Sequence, residues 1–158
     1  MEDLVVSVLT TSYPRNERDD AGVFVRRLVD ALGKVGVKGE VVVPHDKDEP
    51  KYVAHGAFNV RRFSYGVFKR GALAFGAGIV PNLKRNTFLL LQVPNFLMSF
   101  TFTALISSRN ANLIHGNWLV SAIPGAIVSW LKKKPLVLTA RGEDVRLLRK
   151  QSIGLFLN

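Results

Sequence analysis

Short apolar runs alternate with segments of helical spacing along this chain. The apolar runs lie at 4–10, 41–43, 113–114 and 136–138. Between them apolar residues recur at helical intervals, as in 23–32, which is followed by Gly33. Continuous apolar strands separated by helices are typical of a parallel sheet that is covered on both faces. We therefore predict an α/β fold, a doubly wound parallel sheet of about five strands in the order 3-2-1-4-5, with helices on both faces.

The segment 58–65 alternates apolar and polar residues, and Arg61 and Arg62 are interleaved among them. Alternation of this kind is typical of a half-exposed strand at the edge of a sheet. We therefore predict that 58–65 forms an edge strand and that both arginines are surface charges. Pro44 and His45 lie at the carboxyl end of the second predicted strand, and a charged loop follows up to Lys51.

The segment 87–108 contains no charged residue and is nearly long enough to span a bilayer. However, Gln92, Pro94 and Asn95 lie near its middle. Proline removes a backbone donor there, and polar side chains are costly in lipid. We therefore predict two packed helical pieces that meet near Pro94, with a spanning helix as one alternative and an apolar face bound to a membrane surface as another.

A second apolar helical segment runs from Trp118 to Leu131. Because it is apolar on nearly all sides, most of its surface is predicted to be covered by protein. The three lysines that follow, Lys132 to Lys134, suit the negative end of the helix dipole. Pro135 then begins the last predicted strand.

Polar loops follow three of the predicted strands. One contains His115, Asn117 and Trp118, and the next covers 140–144, so both are expected to meet at the carboxyl edge of the sheet. The loop after the first strand ends at Gly22, where backbone N–H groups can approach an anion at the start of a helix. A loop that needs a tight bend explains Gly22 equally well.

The net charge of +10 is unevenly distributed. Residues 81–158 contain ten Lys or Arg and two Asp or Glu, so this half carries most of the excess. An anionic partner is implied, whether nucleic acid, the phosphates of a small ligand or acidic lipid headgroups. A solvated basic face is the alternative.

Composition restricts the remaining chemistry. The 158 residues suit one domain, and without cysteines neither disulfides nor thiolate metal sites can form. The three histidines show no zinc spacing, so no metal is expected. The amino terminus is acidic and leads directly into a strand, unlike a signal peptide, and a cytoplasmic location is therefore expected.

Several segments resemble the amino-terminal half of glycosyltransferase family 4 enzymes, which have two Rossmann-like domains facing a cleft. The matching segments are 22–28, 62–65, 79–86, 91–94, 112–118 and 135–144. The resemblance implies that 1–158 is one Rossmann-like, acceptor-side domain, and that the carboxyl-terminal donor-binding domain is a missing partner. It further implies a retaining transfer of sugar from a nucleotide-sugar to an acceptor, lipid-linked or polysaccharide, without metal, and an isolated chain that is inactive.

The resemblance carries Gly22 and His115 over as family positions, and the other candidates are polar, aromatic or glycine residues of the strand-end loops. The predicted roles are catalysis for His115, Arg141 and Asp144, donor binding for Gly22, Gly142 and Glu143, and substrate binding for Tyr13, Asn117 and Trp118. Arg141 stands where the family commonly has histidine, and a guanidinium holds anions instead of exchanging protons. A helix cap at Asp144 and a packed strand-end histidine at His115 are the structural alternatives.

Two other function classes remain open. One is a basic nucleic-acid-binding module, although the chain has no aromatic and basic RNA-recognition signature, and nucleic acid is not the expected partner. The other is a nucleotide-binding regulatory domain, although the first loop lacks the dinucleotide glycine fingerprint. The expected partners are a nucleotide-sugar, its acceptor and an anionic membrane surface, toward which the basic second half and 87–108 would hold the domain.

Overall fold

The structure is a computed structural model that describes residues 4–16, 18–46, 49–66, 73–76, 78–140 and 142. Among these residues are six strands, in chain order β1 Val5–Leu9, β2 Lys38–Pro44, β3 Tyr52–His55, β4 Phe58–Phe63, β5 Leu113–Asn117 and β6 Leu136–Thr139. The helices are α1 Val23–Lys34, α2 Ile79–Arg85, α3 Val93–Ser107 and α4 Ala122–Lys132. Two 3₁₀ segments, Thr87–Gln92 and Leu119–Ser121, precede α3 and α4.

The strands form one sheet in the order β3-β4-β2-β1-β5-β6. All neighbours are parallel except β3 and β4, which form an antiparallel hairpin. The α/β prediction and the order of the five predicted strands are confirmed. The edge strand β3 was not predicted, and its presence makes β4 an interior strand.

The two arginines of β4 show that the prediction of an edge strand with surface charges was wrong. Neighbouring residues of a strand point to opposite faces, so Arg61 and Arg62 have different environments. The Arg62 residue is 8% exposed and pairs with Glu49. Arg61 makes two hydrogen bonds to Glu40, at 2.8 and 3.0 Å.

Helices cover both faces of the sheet, as predicted. On one face Val25 and Val29 of α1, spaced by one helical turn, pack against the valines of β1 and β2. On the other face Phe96, Phe100 and Ala104 of α3 share a core with α4 and with the alternate residues of the strands. We call these the α1 face and the α3/α4 face.

The stretch 87–108 is helical in two pieces, as predicted, because Thr87–Gln92 forms a 3₁₀ segment and α3 begins at Val93. Pro94 lies in the first turn of α3, where its missing N–H costs nothing. By length and composition Thr87–Ser107 is also the one helical stretch among the described residues that is able to cross a membrane. Only 17% of its most apolar stretch of 18 residues is buried.

The helix α4 begins at Ala122 and is shorter than predicted, since Trp118 has a positive φ of 63°. The prediction that protein covers most of this segment was wrong. Ile123, Trp130 and Leu131 are between 50% and 79% exposed. Its apolar composition therefore does not reflect burial alone.

The lysine cluster after α4 also serves the neighbouring helix. Lys134 Nζ donates to the carbonyl oxygens of Ser108 and Arg109, at 2.5 and 2.8 Å, at the carboxyl end of α3. Carbonyls at a helix end have no partner within the helix, so a cation stabilises them. Burial, together with nearby Lys132, holds the pKa of Lys134 below its usual value.

Candidate functional site

A cleft of about 740 Å³ opens at the carboxyl edge of the sheet. The loops that follow β1, β2, β4 and β5 line it together with α2. Loops that leave the carboxyl ends of parallel strands converge on such an edge, which explains the position of the cleft. Its polar and aromatic lining residues are Thr11, Ser12, Tyr13, Arg15, Asp19, Glu49, Arg62, Phe75, Lys84 and Trp118.

Arg15 fixes the loop that follows β1. Its Nε donates to Asp19 Oδ2 at 2.6 Å and its Nη1 donates to Asp46 Oδ2 at 2.9 Å. Burial raises the pKa of the Asp19 carboxyl, but hydrogen bonds from Arg15 and from the Ala21 backbone outweigh burial and hold this pKa below its usual value. Asp19 is therefore ionised at neutral pH. The hydrogen bonds of the Arg15 guanidinium to Asp19 and Asp46 hold the loop in place.

The path of the backbone requires glycine at Gly22. Its φ is +72°, and a Cβ there would lie 2.4 Å from the carbonyl oxygen of Ser12. Any side chain would push α1 away from the loop after β1. Gly22 thus has a structural reason to be glycine, and its role in donor binding stays a prediction.

Arg62 and Glu49 form a buried ion pair in the cleft lining. Arg62 Nε lies 3.1 Å from Glu49 Oε2, and the two side chains are 6% and 11% exposed. Arg62 Nη1 also donates to the carbonyl of Pro50 at 3.3 Å, while His45 Nε2 lies 2.8 Å from the carbonyl oxygen of Glu49. These contacts hold the loop after β2 against β4. The other carboxylate oxygen, Glu49 Oε1, is buried without a hydrogen-bond partner among the described residues.

Segment 73–76 forms another wall of the cleft. Asn82 Nδ2 donates to the carbonyl oxygens of Leu73 and Phe75, at 3.1 and 2.6 Å. The backbone N–H of Ala74 donates to Tyr65 Oη at 3.0 Å, and burial raises the pKa of that phenol to about 12. The segment is thereby attached to both α2 and the core, which places the ring of Phe75 beside the cleft.

Tyr13 and Trp118, both predicted to bind substrate, line the cleft. Tyr13 is 7% exposed, and its Oη has no hydrogen-bond partner in the described part of the chain. Burial raises the pKa of Tyr13 to about 12, so the phenol is protonated and can donate. The ring of Trp118 packs edge-on against Phe24, with centroids 5.0 Å apart.

His115 and Asn117 lie in β5, beneath the loop that contains Trp118. His115 Nε2 is 2.8 Å from Thr139 Oγ1, which links β5 to β6. Asn117 is fully buried, and its carbonyl oxygen accepts a hydrogen bond from Ser121 Oγ at 2.7 Å. Neither residue lines the cleft, and their assigned roles stay predictions.

Of the predicted site residues after β6, the structure describes only Gly142. Arg141, Glu143 and Asp144 lie outside the described residues. Gly142 is exposed, and it follows a strand that runs parallel to β5 and β1. Gly142 and Gly22 therefore leave the same edge of the sheet, as the predicted site requires.

Lys84 is the cation of the cleft that is open to a ligand. It is exposed at the end of α2 and lines the cleft, and it has no ion-pair partner among the described residues. Arg15 and Arg62, by contrast, both contact carboxylates. The described residues contain no cluster of three His, Asp or Glu that suits a metal ion. The described residues of the cleft therefore provide an exposed cation, Lys84, two aromatic rings, and two buried polar atoms without a partner, Tyr13 Oη and Glu49 Oε1.

Comparison with known proteins defines the fold. No family model matches the chain, and no curated protein matches it. Among solved structures it is similar to sucrose-phosphate synthase from Thermosynechococcus elongatus, with a TM-score of 0.56 and 18% identity. The match covers 88% of this chain and 33% of that one. The chain thus has a Rossmann-like fold of the GT-B type, and it spans about a third of the length of this neighbour.

Sequence reasoning missed most of the cleft lining outside the predicted loops. The prediction of a surface charge at Arg62 overlooks that two successive residues of a strand point to opposite faces. Arg15 and Asp19 are four residues apart, a spacing that suits an ion pair in a tight loop. No sequence signal indicates that Phe75 and Lys84 belong to the same cleft, because long-range packing brings them there.

Proposed function

We propose that this chain is the acceptor-side half of a retaining glycosyltransferase, which moves a sugar from a nucleotide-sugar to an acceptor without a bound metal. The GT-B-type fold supports the class of enzyme. The cleft at the carboxyl edge of the sheet carries the proposal, because its free groups suit a polyhydroxylated ligand with an anionic substituent.

Each free group has a matching ligand feature. Tyr13 Oη can donate to a sugar hydroxyl, and Glu49 Oε1 can accept from one. The rings of Trp118 and Phe75 supply the apolar surface against which a small ligand loses water. Lys84 supplies a positive charge for phosphate or carboxylate.

The remaining assigned residues complete the proposal. Gly22, Gly142 and Glu143 would contact the donor, and Arg141 would hold its phosphate through the planar guanidinium. His115 and Asp144 would act at the transferred sugar. A second, donor-binding domain would close over the carboxyl edge of this sheet, and the transfer is expected only when both domains are present.

Ligand binding by the chain itself provides the first test. We expect hexose phosphates to shift amide resonances of the cleft loops in a nuclear magnetic resonance titration, and Lys84→Gln to weaken this binding about tenfold. Arg85→Gln is the matched control, since Arg85 is also exposed at the end of α2 but does not line the cleft. Shifts located elsewhere, or equal effects of the two variants, would contradict the assignment of the cleft.

Turnover by this chain when it is joined to the proposed donor-binding domain provides the second test. Radiolabelled nucleotide-sugars are supplied with lipid extracts and oligosaccharides as acceptors, and the anomeric configuration of the product is determined. Product with the configuration of the donor is expected. A folded protein that transfers sugar from none of the common donors would contradict the proposal. Salt-sensitive binding of random DNA at micromolar levels would favour the nucleic-acid alternative.

A further inference from the structure

The outer surface of the α3/α4 face carries an unusual number of exposed apolar side chains. On α3 they follow one side of the helix, where Met98 and Phe102 are 68% and 66% exposed. On α4 they include Ile123, Ile127 and Trp130, with Trp130 79% exposed. Phe88, Leu90 and Leu91 extend the surface along the preceding 3₁₀ segment. Contiguous apolar surfaces of this kind mark binding sites on soluble proteins.

The exposed side chains face away from the core because of helical geometry. Phe96, Phe100 and Ala104 of α3 are buried against the sheet, and Met98 and Phe102 lie between them in sequence. A shift of two residues turns a helix by about 200°, so these two sets occupy opposite sides. Since α3 packs beside α4, the two exposed stripes form one surface, which we call the outer apolar surface.

Among the described residues, cations border this surface at both ends of the helices, and the elements that form it contain no carboxylate. Arg109, Lys132 and Lys133 are exposed at the carboxyl ends of α3 and α4, and Arg85 precedes the 3₁₀ segment at the other end. From Pro50 to Gly142 the sequence contains twelve Lys or Arg and no Asp or Glu. The apolar patch thus lies between positive groups, which is the arrangement that an anionic lipid interface complements.

A membrane-spanning helix and a dimer interface both fit the structure less well. A spanning helix requires lipid on all sides, whereas Phe96, Phe100 and Ala104 are at most 1% exposed within the protein core. A second copy of the chain would bring like charges together, because the net charge is +10 and the surface is bordered by cations at both ends. The two-sided character of α3 argues against the first arrangement, and the basic border argues against the second.

We propose that the outer apolar surface docks this domain on the surface of an anionic lipid bilayer, with α3 and α4 lying parallel to the membrane. Met98, Phe102 and Trp130 enter the interfacial region, while Arg85, Arg109 and Lys132 contact the headgroups. This inference stands apart from the glycosyltransferase proposal, because it rests on the face of the sheet and not on the cleft at its edge.

Co-sedimentation with vesicles tests the docking. We expect the chain to bind vesicles of phosphatidylcholine mixed with phosphatidylglycerol, and to bind vesicles of phosphatidylcholine alone far more weakly. Binding decreases as salt rises, since each cation near the surface contributes about fivefold. The triple variant Arg109→Glu, Lys132→Glu and Lys133→Glu should bind at least about a hundredfold more weakly.

The matched control reverses three exposed charges elsewhere. Arg18→Glu, Arg27→Glu and Lys34→Glu alter the net charge equally, but these residues lie on α1 or in the loop before it. This variant should keep most of the vesicle binding. Equal losses in the two triple variants would show that net charge alone drives the binding, and would overturn the proposed surface.

The apolar contribution needs its own pair of variants. Phe102→Gln combined with Trp130→Gln should remove the binding that persists at high salt, whereas Val35→Gln, at an exposed apolar residue beside α1, should not. Circular dichroism confirms that each variant is folded. A chain that ignores anionic vesicles at low salt, or that forms a stable dimer which Phe102→Gln dissociates, would contradict the proposal.

Discussion

The helices on the two faces of the sheet pack against the strands in the same way but differ on their outward sides. On each face helices bury regularly spaced apolar residues against the same strands, Val25 and Val29 on one side and Phe96 and Phe100 on the other. The outward sides of these helices contrast, because α1 presents charges to solvent while α3 and α4 present apolar side chains. Folding requires the first property, and the proposed membrane docking rests on the second.

The largest expected effect compares two phenylalanines of α3. Phe100 is fully buried and Phe102 is 66% exposed. Phe100→Ala should lower the free energy of unfolding by about 3–5 kcal/mol, because it leaves a cavity in the core. Phe102→Ala should change it by less than about 1 kcal/mol, because that side chain is already in water. Chemical denaturation measures both values, and similar losses would show that the outer apolar surface serves stability.

The next effect compares the two arginines of β4, which point to opposite faces. Arg62→Met should cost about 3 kcal/mol, because it leaves the carboxylate of Glu49 buried without its cation. Arg61→Met should cost about 1 kcal/mol, because the pair of Arg61 with Glu40 is more exposed. Adding Glu49→Gln to Arg62→Met should restore part of the loss. Equal costs at the two positions would contradict the difference in burial.

A smaller effect concerns one buried tyrosine on each face. The pKa values of Tyr13 and Tyr65 are raised to about 12, mainly by burial, from an ordinary value of 10.0. Above pH 10 the unfolded chain loses these protons while the native protein keeps them, so the stability that burial of the neutral phenols provides is lost as the pH rises from 10 toward 12. Denaturation at several alkaline pH values measures this decline, and Tyr13→Phe with Tyr65→Phe should reduce its slope.

The fold was largely predictable because short apolar runs and helical spacing indicate buried strands and their crossovers. Strand β3 was missed because Tyr52–His55 is short and polar at both ends. The two residues between β3 and β4 include Gly56 with a positive φ of 60°, a hairpin signal that the sequence did contain. The strand-end rule also located Trp118, and Tyr13 obeys the same rule, since both residues follow parallel strands and both line the cleft.

The solvent exposure of side chains on α3 and α4 was the property that could not be predicted from the sequence. Segment 87–108 has no charged residue and segment 118–131 is apolar on nearly all sides. Such patterns are the same for a helix within a core and for one that meets another apolar phase. Phe100 is buried and Phe102 is exposed because α3 lies on the outside of the sheet, with one side against the core and the other toward solvent. Likewise, Lys84 and Phe75 approach Tyr13 through packing between distant segments, which no local pattern records.

The two tryptophans allow the difference between the faces to be measured directly. Trp130 projects from the outer apolar surface, while Trp118 lies in the cleft against Phe24. The variants Trp118→Phe and Trp130→Phe each leave one tryptophan, and anionic vesicles that contain lipids brominated on the acyl chain quench only residues that reach the membrane. We expect strong quenching of Trp130 and none of Trp118. Quenching of Trp118 alone, or vesicle binding without quenching of Trp130, would contradict docking through the α3/α4 face.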